Sequence, residues 1–192
     1  MAARGLRALL LRNPRPQGRH LAPLRAASHP PCQRGLPPCP SSGGWGARAL
    51  ASRAAAFLDG VVNYEKVGVP QGAGTDGAEG FELGRMHRLL AALGDPHKEW
   101  PVIHVAGTKG KGSTVAFIAS ILRAAGYRVG TYTSPHVASL CERISTGGRG
   151  AGPIAPGALD ALVECNLAAL ERAQGVEGGR ISHFEIMTAL AF

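Results

Sequence analysis

From residue 81 onward, apolar positions alternate between helical stripes and short β-type runs. In FELGRMHRLLAALG, Leu83, Met86, Leu89, Leu90 and Leu93 recur at the spacing of one helix face, and Gly94 with Pro96 beyond it supplies a stop signal. Pro101 then precedes Val102-Ile103-His104-Val105-Ala106, a run that predicts a short buried strand. Gly107 to Gly112 forms a glycine loop, small and apolar residues recur helically from Ser113 to Ala125, and Gly126 is placed to be the C′ residue. Arg128 to Tyr132 predicts a second strand, ended by Thr133-Ser134-Pro135. Strand, loop, helix, strand is a βαβ unit, so the expected class is α/β with a parallel sheet covered by helices. After the Gly-rich turn from Gly147 to Gly152, Pro156 opens a helix with the stripe Leu159, Leu162, Val163, Leu167 and Leu170. A last helix starts at Ser182 and is still in mid-stripe at Phe192, so the sequence is expected to be a domain cut short.

The amino-terminal part reads differently. Residues 1–58 contain nine Arg, no Lys and no carboxylate, and the first acidic residue is Asp59. MAARGLRALLLR places Leu6, Leu9 and Leu10 apart from the basic residues on a short helix that Pro14 and Pro16 end. A Pro/Gly/Ser-rich stretch follows, so 1–58 is expected to be a disordered organelle transit peptide, with 59–192 as the folded part. Sparse Ser and Thr favour a mitochondrion over a plastid; an unprocessed extension would leave the chain in the cytosol. The segment VVNYEKVGVPQGAGTDGAEG lacks periodicity and is expected to be mostly loop.

Charge changes the picture little. The net charge of +8 resides in the leader: the rest of the chain holds twelve basic and thirteen acidic residues, so no nucleic-acid partner is expected. No run approaches the roughly 20 apolar residues of a membrane span, and no membrane partner is expected. Cys32 and Cys39 fall in the leader and are expected to be removed with it; Cys141 and Cys165 remain, too few for a disulfide framework and lacking metal-site spacing.

The candidate chemistry centres on Gly107-Thr108-Lys109-Gly110-Lys111-Gly112-Ser113-Thr114. Glycines let backbone N–H groups converge on phosphate oxygens, and the following helix adds its positive end. Lys111 is placed to reach the β/γ-phosphates, and the Ser113 or Thr114 hydroxyl to approach Mg²⁺. The alternative is a glycine turn that only packs a helix tightly. His104, inside an apolar strand, reads as a core residue. His136 faces either substrate or solvent, Lys109 either phosphate or water, and Arg143 either an acidic substrate group or a carboxylate such as Glu142.

The loop departs from the common phosphate-loop spacing in having Gly112 between Lys111 and Ser113. In that form, and together with LGDPHKEWPVIHVAGTKGKGSTVAFIASILRAAGYRVGTYTSPHVASLCERIS and SHFEIMTALAF, it resembles the Mur ligase superfamily, in particular the folylpolyglutamate synthase and dihydrofolate synthetase family. The resemblance runs from about Val62 to Phe192. It implies a Mur ligase-like central ATPase domain with a parallel sheet and phosphate loop, truncated before the C-terminal domain. ATP and Mg²⁺ are the implied cofactors, with Lys111 as the catalytic cation and Gly107, Thr108, Lys109, Gly110, Lys111, Gly112, Ser113 and Thr114 around the nucleotide. Ser134 and Glu185 resemble family magnesium ligands; Ser134 otherwise ends a strand, and Glu185 otherwise completes a capping box with Ser182. The implied partners are small molecules (dihydropteroate or folate, and L-glutamate), and a monomer is expected. The segment NYEKVGVPQGAGTDGAEGFELGRMHRLL resembles the dihydrofolate synthetase branch; polyglutamate synthesis on folates is the alternative. A GTPase switch would need a guanine-reading NKxD motif, which does not occur, and a non-catalytic nucleotide-binding piece is the remaining reading.

Overall fold

The strand Arg128–Tyr132 divides the protein between two cores, because alternate residues of a strand point to opposite faces. Val129 faces one way into a small core with Val115 and Ala119, and Tyr132 faces the other way into a larger one. The computed structural model describes residues 8–12, 53–68, 83–147, 151–175 and 180–192. Within them the strands are β1 (Ala8–Arg12), β2 (Val102–His104), β3 (Arg128–Tyr132) and β4 (Ile144–Ser145). The helices are α1 (Arg53–Asp59), α2 (Tyr64–Val67), α3 (Leu83–Ala92), α4 (Lys111–Ala124), α5 (Pro156–Gln174) and α6 (His183–Ala191).

Helix α4 packs on β3 through Val115 and Ala119, one turn apart on one face, with Ile118 and Leu122 partly buried beside them. It ends in Gly126 at φ 92°, with Tyr127 N–H donating to Leu122 O at 3.0 Å, the C-terminal closure that the sequence predicts. Helices α1, α3, α5 and α6 build the larger core. The stripe of α5 is buried at Leu159, Val163, Leu167 and Leu170, and α6 buries Ile186, Met187, Ala189 and Leu190. Gln174 clasps the far end of α5 to the approach of α6, donating to Ile181 O at 2.9 Å and accepting from Ile181 N–H at 3.2 Å.

The sheet order is β2-β1-β3-β4, and every neighbouring pair is antiparallel. This corrects the expected parallel sheet. Strands β2 and β3 do run in the same direction, as a βαβ unit requires, but β1 lies between them and opposes both. The same strand corrects the expected leader helix and the expected disorder of residues 8–12. An isolated helix of this length is marginal in water, whereas a strand between two others has its backbone groups served by two ladders. Residues 53–58 are also ordered: Ala54 is fully buried, and its N–H donates to Glu164 Oε1 on α5 at 3.0 Å. The remainder of 1–58, the Gly-rich stretch 69–82 and part of the 147–152 turn lie outside the described residues.

Three further expectations change. The stretch read as loop contains α2, opened by Asn63, whose side chain accepts from Glu65 N–H at 3.1 Å. Strand β2 lies at the sheet edge, so it is not buried: Val102 is 39% exposed and His104 is exposed, not a core residue. Cys165 is disulfide-bonded and Cys141 is a buried free thiol, a pairing for which the cysteine spacing carries no signal. Gly147 meets a close approach: a Cβ there would lie 2.6 Å from Val129 N, so only glycine lets the chain beyond β4 lean on β3. Among the described residues no helix is long and apolar enough to cross a membrane.

Candidate functional site

Cα partners place Ala8 opposite both His104 and Tyr132, so the C-terminal ends of β2 and β3 are level across the sheet. Two strand spacings separate them, roughly 10 Å. The loop 105–110 and the turn beginning at Thr133 therefore leave the same sheet edge. Sequence reasoning placed the nucleotide residues in the first of these and one magnesium residue in the second, and the topology brings the two together.

The loop 107–110 is exposed, and Gly110, with φ 75°, is the N-cap of α4. That left-handed conformation suits glycine, and a glycine cap has no side chain to occupy the first-turn N–H groups. Those donors have no partner within the helix, so α4 presents the electropositive end that suits a phosphate. Lys111 is the first helical residue, and its Nζ folds back over the loop, donating to Gly107 O at 2.7 Å and Thr108 O at 3.3 Å. An ammonium has three donors, so one remains for a phosphate oxygen. Ser113 and Thr114 are both exposed, and Thr114 Oγ1 donates to Gly110 O at 3.0 Å, so its proton is used within the helix. Thr108 and Lys109 are exposed, and Gly112 is half-buried. These residues fit a nucleotide phosphate chain by donor chemistry and backbone shape.

The two magnesium candidates have unlike surroundings. Ser134 is buried at the end of β3, next to the cis Ser134–Pro135 peptide. Glu185 is buried and hydrogen-bonded through both oxygens. Its Oε2 accepts from Ser182 N–H at 2.8 Å and Ser182 Oγ at 2.7 Å, and its Oε1 accepts from Arg85 Nε at 3.3 Å. The capping-box alternative thus holds for Glu185, with Arg85 of α3 added. A hydroxyl oxygen such as Ser134 and a carboxylate oxygen such as Glu185 both suit Mg²⁺, and Glu185 Oε1, which accepts from Arg85 alone among these contacts, keeps a lone pair for it. Among the described residues no group of three or more His, Cys, Asp or Glu forms a metal-binding cluster.

Arg143 takes a partner that the sequence did not indicate. Its terminal nitrogens donate to both oxygens of Glu65 on α2, and its Nε donates to His136 Nδ1 at 2.9 Å. Glu142, the neighbour expected to pair with it, instead caps the backbone of Val137, Ala138 and Ser139. Those N–H groups, Val137 first, hold the Glu142 carboxyl below its ordinary range.

A cavity of about 310 Å³ opens between the α1–α2 connection and α6, lined in part by Asp59, Asn63, Lys66 and His183. His183 is 6% exposed, and its Nδ1 has no hydrogen-bond partner among the described residues. Burial, seconded by the nearby Arg143 charge, lowers the imidazole to about 4. Glu65 and Arg85 were missed because their partners are remote in sequence, and His183 because the other residues of the cavity it lines, Leu58 to Val67, are.

A dihydrofolate synthase/folylpolyglutamate synthase of Bacillus subtilis is 51% identical over 110 residues, which cover 57% of this chain and 25% of that protein. A folylpolyglutamate synthase of Lacticaseibacillus casei is 42% identical over 109 residues, covering 56% and 25%. A dihydrofolate synthetase of Saccharomyces cerevisiae is 32% identical over 110 residues, covering 57% and 24%. The chain spans about a quarter of the length of these relatives. No family model and no solved structure matches it. The chain is thus similar to curated synthases of both names.

Proposed function

We propose that this chain carries the nucleotide-phosphate half of an ATP-dependent ligase that joins L-glutamate to a folate-type acceptor, with dihydropteroate as the preferred acceptor. The observation that carries the reading is the glycine loop between β2 and α4, with Lys111 folded over it and a helix N-terminus that no side chain caps. The names of the relatives supply the reaction class. Addition of glutamate to folate glutamates is the second reading, favoured by the name of the Lacticaseibacillus casei relative.

In this reaction the acceptor carboxylate attacks the γ-phosphorus of ATP, the bond to the β-phosphate oxygen breaks, and ADP leaves. The amine of glutamate then attacks the acyl phosphate, loses a proton and displaces inorganic phosphate. The first step depends on placing and neutralising the phosphates rather than on a protein nucleophile. Lys111 and the first-turn N–H groups of α4 supply that charge, and Gly107 and Gly110 let the backbone approach. Ser113 and Ser134 are the hydroxyls that would hold Mg²⁺, which supplies further charge neutralisation at the phosphates when bound.

Calorimetric titration of the chain with ATP and Mg²⁺ tests the reading. Measurable binding is expected, weakened about 100-fold in Lys111→Ala, in line with the roughly 1.5–3 kcal/mol of a hydrogen bond to a charged group. Equal affinity in both proteins would refute the assignment of the loop. Glutamate incorporation by the protein, with each acceptor in turn, distinguishes the two readings of the acceptor.

A further inference from the structure

Arg143 is 1% exposed, yet each face of its guanidinium has a partner. Glu65 Oε1 accepts from Nη1 at 3.3 Å, Glu65 Oε2 accepts from Nη2, and His136 Nδ1 accepts from Nε at 2.9 Å. A guanidinium stays protonated and has no acceptor, so the contact with His136 can run only one way. Nδ1 is the acceptor, and the ring proton is on Nε2. Turning the ring over or moving its proton would leave a buried N–H of Arg143 unpaired, which is costly. His136 is half-buried, so its outer edge reaches solvent. It follows Tyr132 by four residues and stands on the turn that leaves the sheet edge beside the phosphate loop.

We propose that Glu65 is a positioning residue which, through Arg143, fixes His136 as a one-way donor whose Nε2–H is offered to an anionic oxygen of bound substrate. The proposal rests on the ligase reading above for the identity of that oxygen: a phosphate oxygen of ATP and the carboxylate of the acceptor share the required chemistry. A Glu65–Arg143 pair that only fastened α2 to the segment before β4 would need neither a fixed tautomer nor a responsive ring.

Nitrogen-15 labelling of histidine, with long-range proton–nitrogen correlation spectra of the whole chain, reads the tautomer directly. His136 is expected to show a protonated Nε2 and a bare Nδ1. Glu65→Gln is expected to give mixed tautomers, and Glu65→Asp to restore the single one, with circular dichroism checking that each variant is folded. Titration with ATP and Mg²⁺, then with dihydropteroate, should shift the Nε2–H signal. A response to ATP assigns the phosphate oxygen, and a response to dihydropteroate assigns the carboxylate. The ligand that responds should bind about 10-fold more weakly to Glu65→Gln. A wild-type ring protonated on Nδ1, or an unchanged tautomer and affinity in Glu65→Gln, overturns the proposal. So does an unmoved Nε2–H while the Gly110 and Gly112 amides respond to ATP, a result that leaves the ligase reading standing. Silent Gly110 and Gly112 amides would instead count against the ligase reading, while the tautomer still judges the role of Glu65.

Discussion

Helices α4 and α6 both pack against β3, and both begin at a turn that the sequence singles out for chemistry, but their N-termini are finished in opposite ways. At α4 the cap is Gly110, in a left-handed conformation on an exposed loop, and no side chain closes the first turn. At α6 Ser182 accepts from Glu185 N–H at 3.3 Å, Glu185 answers on Ser182 N–H, and Arg85 neutralises the carboxylate, all of them buried. A helix start carries unpaired donors and partial positive charge wherever it occurs. What differs is whether the protein uses them itself or leaves them for a ligand. By that criterion α4 leaves its first-turn donors open and α6 closes its own.

The contrast predicts that variants at α6 unfold the protein while variants at α4 disarm it. The largest expected effect is at Glu185→Ala, which leaves the Arg85 guanidinium buried without a counter-charge and should cost about 3–5 kcal/mol in urea unfolding. An effect below about 1 kcal/mol would mean that Arg85 finds another partner and that Glu185 is free for other work. Lys111→Ala should leave the same unfolding midpoint almost unmoved, because the residue is not buried.

Acid should act mainly on α6. The folded-state value of His183 is lowered to about 4 from 6.5, so its contribution is complete above pH 6.5 and is lost as pH falls toward 4. The loss should be of order 2 kcal/mol, and His183→Gln should flatten that part of the stability curve. Glu142, also lowered, adds a loss of the same sign as pH falls through its folded value. The smallest effect expected is at Ser182→Ala, about 1 kcal/mol from the lost cap, with ATP binding retained; an equal loss of ATP affinity would erase the distinction between the two termini.

What was legible in the sequence was local. The bounds of β3, the stripe of α5, the glycine stops at Gly94 and Gly126 and the Ser182 start of α6 each depend on residues within a turn or two. The glycine loop falls between strand and helix as its composition requires. What was not legible depended on partners far along the chain. Nothing near Ala8 says that it will pair with both His104 and Tyr132, so neither the antiparallel sheet nor the exposure of His104 on an edge strand was readable. Glu65 and Arg143 are 78 positions apart, and the nearer Glu142 was the obvious but wrong partner. Glu185 was ambiguous because a cap and a metal ligand call for the same residue type.

Strand β1 also acts as a gauge. Strands β2 and β3 are not paired with each other; β2 is laddered to Ala8, Leu9 and Leu10, and β3 to all five residues of β1. The spacing between the phosphate loop and the Ser134–His136 turn is therefore the thickness of a segment that contributes nothing to either loop. Substitutions in Ala8–Arg12 can leave every residue of the candidate site untouched and still change how far apart the two loops are held.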